Sequence, residues 1–79
     1  MVQTKELQLL NIINNLLDSI GVDTIDSLKA ELSLRNDLEI DSISYAELIV
    51  LIEEAFDVNV NDDGRVDTIG QIKERLSID

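Results

Sequence analysis

"EIDSISYAELIVLIEEAF", residues 39–56, carries ten apolar side chains in the fifteen positions from 42 to 56. They recur without strand-like alternation, and the run is long, so the pattern predicts a helix buried on most sides. Asp41 is a good N-cap, and its charge suits the positive end of the helix dipole, so the helix is placed from Asp41 or Ser42 to Phe56. Its polar exceptions are Ser42, Ser44, Glu47, Glu53 and Glu54. Ala46, Ile49, Ile52 and Phe56, flanked by Tyr45 and Leu48, make an arc ample for a core. Ile43, Glu47, Val50 and Glu54, at i, i+4, i+7 and i+11, form a narrow apolar–acidic line on another face. That line reads equally well as a docking surface for a basic, partly apolar partner or as a partly buried face with two solvated glutamates.

Working outward, Leu9, Leu10, Ile13, Leu16, Leu17 and Ile20 lie on one helical stripe, with Asn11, Asn14, Asn15 and Asp18 off it. This predicts a first helix over 4–20, stopped by Gly21. Residues 21–41 form a long connection, with a short helical turn expected over 27–31, capped by Asp26. Leu28, Leu32, Leu34 and Leu38 would pin it to the core. "DVNVNDDGRVD", residues 57–67, is a loop by composition. Thr68 and Gln71 form a T-x-x-Q capping box that opens a last helix with Ile69, Ile72 and Leu76 on its apolar face. Lys73 and Arg75 sit near its C-terminus. The expected fold is all-α: a small antiparallel bundle of three main helices with short helical turns in the loops, occupying residues 1–79 as a single domain.

Composition narrows the function. The chain has 79 residues, no cysteine and no histidine, which excludes disulfides, thiolate zinc sites and every Ser-His or Cys-His catalytic pair. Neither a catalytic site nor a metal site is expected. Net charge is -11, and residues 37–67 carry ten acids against Arg65 alone. Such a field repels nucleic acid and anionic membranes and favours basic protein surfaces. No continuous apolar run reaches membrane-spanning length, and the N-terminal stripe is interrupted by Gln8, Asn11, Asn14 and Asn15, so a cytoplasmic monomer is expected.

The triplet Asp-Ser-(Ile/Leu) occurs three times, ending at Ile20, Leu28 and Ile43. Ser19 reads as an ordinary helix-end serine, and Ser27 as part of the cap of a short turn. Ser42 differs. It opens the longest apolar helix, where free N–H groups and the dipole favour a phosphate-bearing group, and it follows a long loop that leaves it accessible.

With its surroundings, this stretch resembles the acyl carrier proteins. "LRNDLEIDSISYAELIVLIEEAFDVNV", residues 34–60, keeps that family's L-x-x-D-L-x-x-D-S lead-in, a glutamate five residues after the serine, and the E-E-x-F ending. "RVDTIGQIKERL" resembles the family's final helix, and 4–20 its first. The resemblance implies an acyl-carrier-like fold and a 4′-phosphopantetheine arm, drawn from coenzyme A, on Ser42 beside Asp41. It implies docking through Ile43, Glu47, Val50 and Glu54, and an acyl cavity lined by Ala46, Ile49, Phe56 and Ile69. Implied partners are a phosphopantetheinyl transferase, acyl-activating enzymes, and ketosynthases or acyltransferases with basic docking surfaces. The chain would then be a freestanding, non-enzymatic carrier in fatty-acid, polyketide or related biosynthesis. Departures from the pattern are Ile43 for Leu after the serine, Glu39 where a Gly often precedes the motif, and Asn61 where a Pro often follows the second helix. The 57–67 loop is also shorter, which would reduce the family's short third helix to a turn.

Two other readings compete. Residues 59–70, "NVNDDGRVDTIG", fit part of a calcium-binding EF-hand loop, with Asn59, Asn61 and Asp63 at positions 1, 3 and 5 and Gly64 at 6. Position 12, which supplies the bidentate glutamate, is Gly70. The other is an acidic adaptor of the same fold without an arm.

Overall fold

The computed structural model describes residues 4–78. Its helices are α1 (Lys5–Ser19), α2 (Ser42–Phe56) and α3 (Ile69–Arg75). The Thr4 hydroxyl caps α1 by accepting from the Leu7 N–H at 3.1 Å. Leu9, Ile13, Leu16 and Leu17 of the predicted stripe are buried, while Leu10 and Ile20 pack at the core margin. At its end the Val22 N–H donates to the Leu17 carbonyl (2.8 Å) and the Gly21 N–H to the Asp18 carbonyl (3.2 Å). This crossed pair requires a left-handed residue, which Gly21 supplies at φ 79°.

The predicted helical turn over 27–31 is absent. The chain bends at Asp26–Ser27, and only a turn at Ala30–Glu31 follows, closed by the Leu32 N–H on the Lys29 carbonyl. The backbone is recruited elsewhere. Asn14 of α1 exchanges both hydrogen bonds with Ile25, at 2.9 and 2.8 Å, holding that segment extended. Farther on, Ser33 bridges to Thr68, the Leu34 N–H donates to Asp67, and the N–H groups of Ile69 and Gly70 donate to Leu32 and Ala30. Local helix therefore loses to pairing with the start of α3.

Leu28, Leu34, Leu38 and Ile40 are buried and Leu32 half-buried. Burying one such side chain contributes about 1.5–3 kcal/mol, against a net 0.5–1.5 for a typical hydrogen bond. Apolar anchoring is thus the larger hold on this helix-free connection. The 57–67 loop is also a set of turns, anchored by buried Val60 and Val66. α1 packs against α2, and the capping box at Thr68 and Gln71 opens α3. Lys73 and Arg75 do not close α3's own carbonyls. Lys73 donates to the Leu28 carbonyl, and Arg75 to those of Val60 and Gly64, so each clamps a loop. No described helix is long and apolar enough to cross a membrane.

Candidate functional site

Ser42 is exposed at the first position of α2. The approach to it is rigidly built. Ser33 donates its N–H to the Asp37 carboxylate at 2.7 Å and accepts at its hydroxyl from Asn36. The Ile40 N–H closes back on the Leu34 carbonyl at 2.9 Å. Glu39 makes the reversal between them in the left-handed conformation, φ 56°. That is a backbone geometry that glycine adopts without steric penalty, so the departure from the family's glycine has a structural expression here.

Asp41 is the N-cap, its carboxylate accepting from the Ser44 N–H at 2.8 Å. That bond is the main cause holding its carboxyl below the ordinary aspartate value. The Ser44 hydroxyl, the Ile43 N–H and the positive charge of Arg35 act in the same direction, against partial desolvation. With Asp41 occupied by Ser44, the first-turn N–H groups beside Ser42 lack intrahelical partners, and the dipole there is positive. An anionic phosphodiester on the Ser42 oxygen fits this position on both counts.

The line beyond Ser42 faces solvent. Ile43 is 82% exposed and Val50 52%, with Glu47 and Glu54 exposed between and beyond them. This removes the partly buried reading. Tyr45, Leu48, Ile49 and Ile52 form the buried side, with Phe56 half-buried. Ala46 does not belong to that arc as expected, for it is exposed. Helical geometry turns about 100° per residue, which carries Ala46 from Tyr45 onto the flank. The expected acyl-cavity set is thus divided: Ile49 and Ile69 are core, Phe56 is at its margin, and Ala46 is outside. None of the four lines the hollows beside Ser42 or along α1.

The other two triplets separate cleanly. The Ser19 hydroxyl donates to the Leu16 carbonyl at 2.7 Å, an ordinary helix-end contact. Ser27 is exposed in the bend, where the turn it was expected to cap does not form. In the 59–70 segment the Asn59 side-chain oxygen accepts from the Asn61 N–H, and that of Asn61 accepts from the Tyr45 hydroxyl. Two of the oxygens a calcium loop would need are turned to the protein itself.

Sequence reasoning missed the contacts of Tyr45. Its buried ring delivers a hydroxyl that donates to Asn61 (2.7 Å) and accepts from the Val66 N–H (3.0 Å), tying α2 to the following loop. The signal was available: a lone tyrosine on the core side of a helix needs a polar partner for its hydroxyl.

The described residues form a helical bundle in which the exposed Ser42 follows an acidic N-cap, an arrangement with room for a covalently attached group. Comparison with known proteins agrees. Residues 8–76 match the family described as "Phosphopantetheine attachment site", and the chain belongs to this family. It is similar to the acyl carrier protein of Trieres chinensis, 39% identical over 61 residues covering 75% of each chain. It is also similar to that of Picosynechococcus, at 36% over 60 residues and 73% of each. A shorter stretch is 49% identical to that of Desulforapulum autotrophicum, over 43 residues and 54% of each. No solved structure gives a significant match. The chain is accordingly a phosphopantetheine-binding carrier protein and not an enzyme.

Proposed function

We propose that Ser42 is the attachment residue and that the chain carries acyl groups, as thioesters, among the enzymes of fatty-acid, polyketide or related biosynthesis. The observation that supports this most is the exposed Ser42 oxygen at the start of α2, in the middle of the family match. In the loading step the Ser42 oxygen attacks the phosphorus of coenzyme A that bears the pantetheine. The phosphoanhydride bond breaks, adenosine 3′,5′-bisphosphate leaves, and the transferase takes the serine proton. The arm, once bound, supplies the thiol that forms and exchanges thioesters. Within the chain, the first turn of α2 stabilises the phosphodiester charge, and Asp41 holds that turn open toward it.

The partners in this reading are a phosphopantetheinyl transferase and acyl-handling enzymes with basic docking surfaces. Ile43 and Val50 offer apolar contact, while Asp41, Glu47 and Glu54 offer charge that steers a basic partner toward Ser42. An acyl chain entering the bundle would have to part Ile49, Phe56 and Ile69, which are packed together with the core or at its edge.

Incubation with coenzyme A and a broad-specificity transferase tests the assignment. The expected result is a mass gain of about 340 Da, one arm, and none for Ser42→Ala. No gain in the wild type, or a gain that survives the substitution, rejects Ser42.

A further inference from the structure

The chain has six basic residues against seventeen acidic ones, and only three of the six are arginines. Arg75 is committed to the carbonyls of Val60 and Gly64. The other two, Arg35 and Arg65, line one hollow of about 200 Å³ between the 33–40 and 60–67 loops. That is smaller than the roughly 300–1,000 Å³ of a typical ligand pocket, a size for one small group rather than a whole ligand. Its floor is the buried Leu34, Ile40, Tyr45 and Val66.

Neither guanidinium is in an ion pair or a side-chain hydrogen bond among the described residues, despite the excess of acids. Arg65 lies with its guanidinium carbon 4.1 Å from the centroid of the Tyr45 ring, and Tyr45 is itself anchored to Asn61 and Val66. The ring face holds the cation electrostatically, and among the described residues its N–H groups make no side-chain hydrogen bond. One carboxylate, Asp67, shares the hollow with the two guanidiniums, and Arg35 also acts electrostatically on Asp41 beside it. Arg35 and Ile40 also line a second, shallow depression with the two acids Glu39 and Asp41, the latter the neighbour of Ser42.

We propose that this hollow is an oxyanion subsite for what Ser42 carries, its two guanidiniums holding either the phosphodiester of the arm or a carboxylate at the free end of a short acyl group. Both sources rest on the carrier reading of Ser42. The hollow's affinity for oxyanions does not, and it is testable without loading.

The unloaded Ser42→Ala protein is titrated with inorganic phosphate and with malonate, following the Arg35 and Arg65 side-chain N–H signals by NMR. Both signals should move saturably, and Arg35→Gln or Arg65→Gln should weaken the response roughly tenfold, the loss of one charge-assisted contact. Movement no greater than that given by chloride at equal ionic strength overturns the subsite. The wild type loaded in turn from coenzyme A, acetyl-coenzyme A and malonyl-coenzyme A then assigns the source. Equal shifts in all three forms assign the phosphodiester, and shifts confined to the malonyl form assign the carboxylate. Arginine signals unmoved in every loaded form overturn the proposal. Failure to load at all is read separately, from the mass, and counts against Ser42 alone.

Discussion

The two ends of α2 are built alike and serve opposite ends of a dipole. Each is flanked by an acid in the left-handed conformation, Glu39 at φ 56° before the helix and Asp57 at φ 58° after it. At the N-terminal end, acidic charge is favoured: Asp41 caps the helix, and its carboxyl is held below the ordinary value. At the C-terminal end no base stands in the last turn, and Glu53, Glu54 and Asp57 all face the negative pole. Acids there oppose the dipole by about 0.3–1 kcal/mol each where exposed. The N-terminal end thus combines stability with the proposed site, whereas the C-terminal acids oppose stability, and of them only Glu54 belongs to the docking line proposed above.

The largest test concerns what holds the N-terminal end in place. The connection leading to Ser42 is fastened to α3 at Gly70, where an added Cβ would stand 3.0 Å from both the Cβ and the carbonyl oxygen of Ala30. The same carbonyl accepts the Gly70 N–H at 3.0 Å, so it cannot withdraw without loosening that bond. Gly70→Ala should therefore destabilise by about 1–3 kcal/mol, overriding the roughly 1 kcal/mol that alanine ordinarily gains in a helix. Denaturant unfolding measures it. A neutral or stabilised variant would mean that the connection is not clamped there.

The next test sets the two left-handed acids against each other. Asp57→Gly relieves backbone strain and removes a charge the dipole opposes, so it should stabilise by about 1 kcal/mol. Glu39→Gly relieves similar strain at the same unfolded-chain cost but gains nothing from the dipole, so about 0.5 kcal/mol is expected. Melting curves at low salt resolve the pair. Equal gains would show that strain alone matters at both ends, and the electrostatic asymmetry would then be too small to interpret.

How much of this was legible in the sequence depended on whether a residue's partner lay within one turn of it. The helices, Gly21, Asp41 and the Thr68–Gln71 box were all readable, because each is fixed by neighbours three or four positions away. The helix position and exposure of Ser42 were readable because both follow from that local pattern. The pairing of 30–34 with the start of α3 was not, since aperiodic segments carry no period to decode. For the same reason Ile40, Val60 and Val66 gave no sign of being core. Ala46 was misplaced because small apolar side chains satisfy a hydrophobic face without being required to lie on it. The arginine hollow was invisible, because Arg35 and Arg65 are thirty positions apart and meet only through the fold.

The smallest effect isolates the charge at the N-terminal end. Asparagine caps a helix about as well as aspartate, so Asp41→Asn keeps the cap and removes only the ionisation. Asp41's carboxyl is lowered in the folded chain, chiefly by the Ser44 N–H, so its ionised form binds the fold more tightly than its protonated form does. The stability it contributes is therefore fully present above the ordinary aspartate value and is lost as pH falls through the lower, folded value. Wild type should exceed Asp41→Asn in stability at neutral pH, and the difference should shrink on acidification below the ordinary aspartate range. Unfolding followed by circular dichroism at a series of pH values measures the difference directly. Because a phosphodiester on Ser42 would place a second negative group at the same helix end as Asp41, loading the arm should reduce this difference. A difference independent of pH would show that Asp41 acts only as a neutral cap, and it would remove the electrostatic contrast between the two ends of α2.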